Sequence, residues 1–445
     1  MPDTITRTTN TSWFSRIGGA FAGVLIGFIL IIACIGGLFW NEGRAIKTEK
    51  GLQEGAAVVI EIQPGEVVAA NDQKLVHVSG PTVVTAPLED SDFGVTATGL
   101  HLARMVEMYQ WKEASKSESR TKLGGGEETV TTYTYTREWV SSANDSSQFA
   151  EPNGHQNPEF DIEPANILAQ DATLGAFRLE DNVVGQIGGE AALRLTPANL
   201  EMVEAAVGDI GKYVSISQNR IMLTERRPTV VAPAATADEE APAPETSADE
   251  ATPDETTTDE TAEVGADETS TTTSQPQTVT PAATIGDVRV SYELTPAGEI
   301  SVVARQNGDG FLPYHAKNGE EFLLVDNGDK PASDMFKGAQ DANQIMTWII
   351  RVVGLVLLIA GFGMLMAPLG VLADVLPLAG TIVRMGTGLI AFALGMLIGT
   401  VTIALAWIVF RPLIGIGILI IGGGIAFGAY RLARGKGKKA EAATA

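Results

Sequence analysis

Histidines are the side chains best suited to acid–base or metal chemistry near neutral pH, and this chain has four. His77, His101, His155 and His315 are widely separated, and none has the spacing of a zinc-binding motif. His77 lies between two valines, which is typical of a structural residue, whereas His155 in Gly-His-Gln-Asn-Pro fits either a functional loop or, more simply, a turn. No nucleophile elbow, P-loop or dinucleotide motif occurs. We therefore expect no catalytic residue, no cofactor and no metal site.

Charged residues beside apolar stretches are the better candidates for function. Glu42-Gly43-Arg44 follows the first apolar stretch, where it fits either a polar site of a membrane enzyme or a cap at headgroup level. Arg351 lies about six residues into a later stretch, so its long side chain could reach the membrane surface. Asp374 and Arg384 would neutralise each other if the segment that holds them enters the bilayer.

The elements that position these residues are long apolar stretches, each of about the 20 residues that a membrane-spanning helix needs. The sequence predicts a multi-pass α-helical membrane protein with four spans, one before and three after a large β-rich α+β extramembrane domain. The predicted segments are a leader at 1–16, spans at 17–40, 345–367, 386–410 and 411–430, a domain at 41–344, an interfacial or re-entrant connection at 368–385, and a basic tail at 431–445.

Glycines recur at helical spacing within these spans, which lets two helices approach closely, although glycine is also simply common in membrane helices. The glycines predicted to pack helices together are Gly19, Gly23, Gly27, Gly395, Gly399, Gly424 and Gly428.

The large domain has the sequence features of short strands. LARMVEMYQW and ETVTTYTYTREWV flank three glycines and predict a hairpin, and a second hairpin is predicted across Thr295-Pro296-Ala297-Gly298. Thr196-Pro197 predicts the start of a helix. Residues 228–282, rich in Thr, Pro and acidic residues, predict a disordered insertion.

Charge restricts the partners and the orientation. The net charge is −23, and the thirteen acidic residues between Pro228 and Ala283, with no Lys or Arg among them, leave −23 + 13 = −10 for the rest. Nucleic-acid binding is therefore not expected. The basic tail predicts a cytoplasmic C-terminus, and four spans would put the leader on the same side and the domain in the periplasm or in a eukaryotic lumen. Cys34 is the single cysteine, so no disulfide forms within one chain.

Several motifs, in this order along the chain, resemble those of the transmembrane protein 43 family, also called LUMA. They are Asn41-Glu42-Gly43-Arg44-Ala45, Leu75-Val76-His77-Val78, Val106-Glu107-Met108-Tyr109-Gln110-Trp111, the Tyr133 to Trp139 strand with its Trp139, Gly154-His155-Gln156-Asn157-Pro158, Gly286-Asp287-Val288-Arg289-Val290-Ser291, Pro368, Leu372-Ala373-Asp374, Ala406-Trp407 and Arg411-Pro412.

The resemblance implies one N-terminal span, a large lumenal domain and three C-terminal spans. In animals it implies the endoplasmic reticulum and inner nuclear membrane, self-association, and scaffolding of emerin and lamins. The acidic insertion and the glycine-rich helices favour a bacterial inner-membrane protein, which has no lamina to bind.

Three functions remain open at this point. A non-enzymatic scaffold would organise lipids or unidentified membrane proteins, with the bilayer and further copies of itself as partners. An enzyme acting on lipid or envelope substrates would need a polar cluster near the bilayer, and a transporter or channel would need a polar path through the spans. The absence of catalytic motifs and the resemblance favour the scaffold.

Overall fold

The computed structural model describes residues 3–208, 212–217, 219–225, 229–231, 277–279 and 282–412. Within these residues the chain forms α-helices, two 3-10 turns and β-strands. The helices are α1 Trp13–Val58, α2 Asp181–Val184, α3 Pro197–Val207, α4 Ala332–Ala373 and α5 Pro377–Phe410, and the 3-10 turns are Ala69–Asn71 and Ser146–Gln148.

The strands lie almost entirely between α1 and α4. They are β1 Asp3–Thr11, β2 Ile60–Glu61, β3 Leu75–Val83, β4 Leu88–Asp90, β5 Val95–Ala97, β6 His101–Thr121, β7 Glu127–Val140, β8 Ala165–Leu168, β9 Thr173–Leu174, β10 Phe177–Arg178, β11 Ala191–Ala192, β12 Tyr213–Ser217, β13 Arg220–Thr224, β14 Thr229–Val231, β15 Gln277–Val279, β16 Val288–Thr295, β17 Glu299–Asn307, β18 Gly310–Leu312, β19 Tyr314–His315, β20 Glu321–Phe322 and β21 Leu324–Asn327.

Three of the described helices, α1, α4 and α5, are long and apolar enough to cross a membrane. Their outward side chains are large and apolar, for example Phe21 at 61%, Phe28 at 55% and Ile29 at 59% exposure, as expected of helices that face lipid. The structure thus has one candidate span before the β-rich domain and two after it. Most of the predicted fourth span, 411–430, lies outside the described residues.

All three helices extend beyond the predicted spans. α1 includes 17–40 and a further eighteen residues up to Val58, and the short strand β2 follows directly. α4 begins at Ala332, before the predicted span at 345–367, and it continues through Pro368. The predicted connection at 368–385 is consequently mostly helical, with only three residues between α4 and α5. Arg384 therefore lies within α5, not in a break between helices.

α1 and α4 carry the domain directly. Leu52 of α1 and Met335 and Phe336 of α4 share a buried cluster with Leu75 and Val303 of the sheet. Phe322 and Phe336 pack closely against α1 because residue 55 is a glycine. A Cβ at this position would lie 2.5 Å from Phe322 and 2.9 Å from Phe336. α1 runs directly into β2, four residues separate β21 from α4, and the buried cluster packs both helices against the sheet.

Two sheets form the body of the domain. One has the strand order β1-β7-β6-β16-β13-β12, with β11 beside β16 and β8 beside β6; the other has β10-β9-β3-β17-β18, with β2 beside β3 and β21 beside β17. A single apolar core takes side chains from both sheets, including Val106 and Val290 from the first and Val78 and Val302 from the second. The alternation of apolar and polar residues along these strands produces this common core.

The predicted hairpin around the three glycines is confirmed, since β6 and β7 pair from Met108 and Val140 to Thr121 and Glu127. The predicted hairpin across 295–298 is wrong. β16 pairs with β6 and β13, whereas β17 pairs with β3, β18 and β21, so residues 296–298 connect the two sheets. Strands that face each other in a sandwich have the same alternating pattern as strands that pair.

The leader is not a separate polar segment. β1 pairs with β7 over nine residues, from Asp3 opposite Tyr135 to Thr11 opposite Glu127. The predicted leader at 1–16 therefore consists of β1 and the first residues of α1, and the side of the membrane on which it lies stays a prediction.

The structure also tests the predicted helix at Thr196-Pro197 and the ends of the predicted insertion. The helix predicted at Thr196-Pro197 is α3, and Thr196 forms a capping box with Asn199. The ends of the predicted insertion at 228–282 form the paired strands β14 and β15. Residues 232–276 lie outside the described residues.

Candidate functional site at the membrane–domain junction

A buried carboxylate joins the three long helices where they meet the domain. Both oxygens of Glu42 on α1 accept hydrogen bonds from Arg351 on α4, at 2.6 and 2.8 Å. Trp407 on α5 donates its indole N–H to Glu42 at 2.9 Å. Glu42 is only 2% exposed. We call these three residues the junction clamp.

The rings of two tryptophans complete the surroundings of Arg351. Its guanidinium carbon lies 4.9 Å from the ring centre of Trp348 and 5.7 Å from that of Trp407, both within cation–π range. The sequence predicted that the Arg351 side chain reaches the membrane surface; the structure shows that it pairs with Glu42 on α1, a partner that was not predicted. A bidentate pair with a buried carboxylate compensates both charges, which an isolated arginine at that depth would not.

Further hydrogen bonds between α1 and α4 lie next to the junction clamp. Arg44 donates to Asn343 at 3.1 Å, to Thr347 at 3.2 Å and to Asn41 at 3.3 Å. The Asn41 amide in turn donates to the Thr347 carbonyl at 3.3 Å, and the Asn343 amide donates to the carbonyl of Ala45 at 2.9 Å. Positions 41, 44 and 45 lie on one face of α1 because they are three and four residues apart.

A cavity of about 410 Å³ opens beside the clamp between α1, α4 and the end of α5. Glu42, Glu49, Arg351 and Arg411 are among its lining residues, and Arg411 forms an ion pair with Glu49. These four charged groups are thus paired, whereas the exposed Asp341 also lines the cavity. The paired groups can hold the helices in register, and among the described residues no group of His, Cys, Asp and Glu could hold a metal ion.

A second charged cluster lies at the other end of the bundle. The buried Asp374 accepts from Arg384 at 2.6 Å and from Arg16 at 2.7 Å. The Asp374–Arg384 pair was predicted, whereas Arg16 was not. Arg16 also pairs with Glu127 at 3.1 Å and so connects this cluster to the tip of the β6–β7 hairpin.

The hairpin tip contacts the bundle at the same place. The amide of Gly124, at the hairpin tip, donates to the carbonyl of Val375 at 3.3 Å. Beside it, the indole of Trp13 on α1 donates to the carbonyl of Val371 on α4 at 2.9 Å. The hairpin therefore extends from the domain to the far end of α1. From Trp111 to Thr121 it covers ~33 Å at the usual strand rise.

The other predicted candidates gather on one face of β6 and β7. Glu107, Tyr109 and Trp111 alternate along β6, and Trp139 lies opposite Tyr109. Arg289 forms a bidentate pair with Glu107 at 2.5 and 3.0 Å and lies 4.6 Å from the Trp139 ring centre.

His155 is part of the same face and is buried. It stacks on Tyr135 with 3.8 Å between ring centres, meets the edge of Trp111 at 4.7 Å, and its Nδ1 lies 2.9 Å from the carbonyl oxygen of Glu151. Burial, together with the hydrogen bond to Glu113, raises the pKa of Tyr135 to about 12. These contacts make His155 an aromatic packing residue, as the turn interpretation of its sequence suggests.

A further buried cluster was missed by sequence reasoning. Arg104 donates to both oxygens of Asp90 at 2.7 and 2.9 Å, and the Tyr292 hydroxyl donates to Asp90 at 2.7 Å. Burial and this hydrogen bond raise the pKa of Tyr292. No motif could have identified the cluster, because its members come from β4, β6 and β16.

The predicted packing glycines divide into two groups. A Cβ at Gly27 would meet the Gly361 carbonyl at 2.7 Å, and one at Gly395 would meet Ile359 at 2.6 Å; Gly399 likewise abuts Leu355. A Cβ at Gly19 or Gly23 would meet no neighbouring helix or side chain within 4 Å. Gly424 and Gly428 lie outside the described residues, and Pro412 ends the last described stretch.

Candidate spans before and after the domain, tied together by a buried ion pair, define an integral membrane protein with a large β-rich domain between its first two described spans. The family model described as "Transmembrane protein 43" matches residues 108–412. This chain therefore belongs to the transmembrane protein 43 family.

Relatives in animals are similar over most of both chains. Transmembrane protein 43 of Mus musculus is 27% identical over 421 residues, covering 92% of this chain and 90% of the relative. That of Homo sapiens is 25% identical and covers 91% and 89%, and the Drosophila melanogaster homolog is 27% identical and covers 89% and 91%. No solved structure matches.

Proposed function

We propose that this protein is a non-enzymatic integral membrane scaffold that self-associates and organises membrane proteins or lipids. The observation that carries the proposal is a polar strand segment beside apolar helices. It consists of β1, residues 111–121 of β6 and residues 127–137 of β7, and we call it the polar ribbon.

The polar ribbon runs alongside the bundle from the domain to the Asp374 end. It carries charged residues, among them Arg7, Lys116, Glu118 and Arg120, that are exposed. The outer edge of β1 and the outer edge of β6 from Lys112 onward pair with no other strand of the described residues. Charged side chains and open strand edges are not stable in contact with hydrocarbon.

A polar ribbon at membrane depth must therefore be surrounded by protein or by water that protein encloses. Several copies arranged with their polar ribbons inward and their apolar helices outward meet this requirement. Gly19 and Gly23, which have open space around them, would let the α1 helices of two copies approach closely.

The junction clamp supports a scaffold rather than an enzyme. Three donors on two helices hold Glu42, and the continuous helices α1 and α4 hold the domain at a fixed height above the bundle. A rigidly presented domain suits a platform for partners. We further propose a bacterial inner membrane, with the domain in the periplasm and the Trp13 end of the bundle towards the cytoplasm.

The test uses single cysteines in a Cys34→Ala chain that is kept in its membrane. With Ser117→Cys on the polar ribbon, a short bifunctional thiol reagent is expected to join two copies of the chain. Asn182→Cys, exposed on the domain far from the ribbon, is the matched control and is expected to stay monomeric. Monomer alone with Ser117→Cys would count against assembly around the ribbon.

A further inference from the structure

A second cavity, of about 770 Å³, lies on a neighbouring face of α1 from the junction cavity, and the two share Ile46 in their linings. Phe39, Trp40 and Phe410 form part of its apolar wall, and Trp40 is 63% exposed. Gly43 lets α5 come close, since a Cβ there would meet the Phe410 ring at 2.7 Å. Exposed tryptophan at the end of an apolar helix is typical of the boundary between hydrocarbon and headgroups. The cavity therefore lies at headgroup level.

The upper rim of this cavity is basic. Arg44, Lys47 and Lys50 line it at intervals of three residues, whereas Glu320 is the single acidic residue among the described residues of its lining. Lys47 donates to the Gly319 carbonyl at 2.7 Å and lies 3.6 Å from Glu320. Lys50 is exposed and has no ion pair among the described residues. The site thus carries a net positive charge directly above an apolar wall.

Arg44 provides a second observation. Its Nε is buried and has no hydrogen-bond partner within the part of the chain that the structure describes, although its other two guanidinium nitrogens are bonded. Because this N–H is not accessible and the other nitrogens are already bonded, Arg44 contributes its fixed positive charge to the cavity rather than a hydrogen bond to a ligand.

We propose that this cavity binds the headgroup of an anionic phospholipid. Its phosphate accepts hydrogen bonds from Lys47 and Lys50 beside the charge of Arg44, and its acyl chains lie along Trp40 and Phe410. The junction cavity does not suit the same ligand, because its arginines are already paired with Glu42 and Glu49. The proposal does not rest on the scaffold function, since lipid affinity and oligomer size are separate measurements.

The test titrates the full-length protein in detergent micelles with phosphatidylglycerol and follows binding by native mass spectrometry. Lys47→Gln/Lys50→Gln is expected to lower the affinity roughly 25-fold, which is about 5-fold for each lysine. Lys50→Gln alone, which disturbs no ion pair seen in the structure, is expected to lower it about 5-fold. Lys74→Gln/Lys330→Gln removes the same charge from exposed positions on the domain and is expected to leave the affinity unchanged.

Three results would overturn the proposal. The first is equal affinity of wild type and Lys47→Gln/Lys50→Gln, and the second is equally tight binding of phosphatidylcholine. The third is competition by soluble glycerol phosphate as strong as that by the lipid, which would indicate a free-phosphate site. A photoreactive residue in place of Trp40 gives an independent check in native membranes. Attachment to lipid is expected, whereas attachment to residues 413–430 or to another protein would show that the cavity has a different occupant.

Discussion

Removing one partner of the junction clamp should destabilise the protein more than removing both. Arg351→Met leaves the Glu42 carboxylate 2% exposed, with Trp407 as its remaining donor. Breaking a buried ion pair in this way costs about 3–5 kcal/mol. In Glu42→Gln/Arg351→Met neither charge remains, and the glutamine oxygen can still accept from Trp407. We therefore expect the double variant to lose less unfolding free energy than Arg351→Met alone.

Denaturant unfolding in detergent micelles measures these free energies, with tryptophan fluorescence as the signal because Trp348 and Trp407 flank Arg351. Lys330→Met, which removes a surface lysine paired with Asp326, is the control and should cause no measurable change. If the losses of Glu42→Gln and Arg351→Met simply add in the double variant, the two side chains are not coupled and the reasoning is refuted.

Three further predictions concern packing, pH and the hairpin tip. Gly27→Leu should destabilise the monomer by separating α1 from α4 at Gly361, seen as a lower midpoint of thermal unfolding; an unchanged midpoint would contradict the contact. Because burial and the hydrogen bond to Asp90 raise the pKa of Tyr292 in the folded domain, the unfolding free energy should fall as pH rises above about 10, and a parallel profile for Tyr292→Phe would contradict this. Asp374→Asn should release the hairpin tip, so hydrogen exchange at the Gly124 amide should accelerate; unchanged exchange would mean that the ion pairs do not hold the tip.

The sequence predicted those elements that are determined by residues close together along the chain. The β6–β7 hairpin follows from alternation around three glycines, and the apolar stretches predicted the three described membrane helices. The sandwich could not be predicted in the same way. β16 and β17 each have the alternation of a strand, and alternation does not distinguish a neighbour in the same sheet from one across the core.

The sequence predicted several residues of the candidate site but not the distant residues with which they pair. Asn41 to Arg44 and Asp374 were identified because charge beside apolar sequence is unfavourable unless it is paired. The partner of Glu42 is 309 residues away, and nothing along the chain connects the two. Arg351 alone therefore looked like a side chain that reaches the surface. The pairing of the leader with β7 was missed because β1 contains many threonines, which favour strands, but has no alternation of apolar and polar residues.

Crosslinking of the wild-type protein in native membranes, followed by identification of the crosslinked chains, tests the scaffold most directly. We predict that the protein is recovered as an oligomer, together with membrane partners. Recovery of monomer alone, under conditions that crosslink a known membrane oligomer in the same sample, would contradict the proposed function.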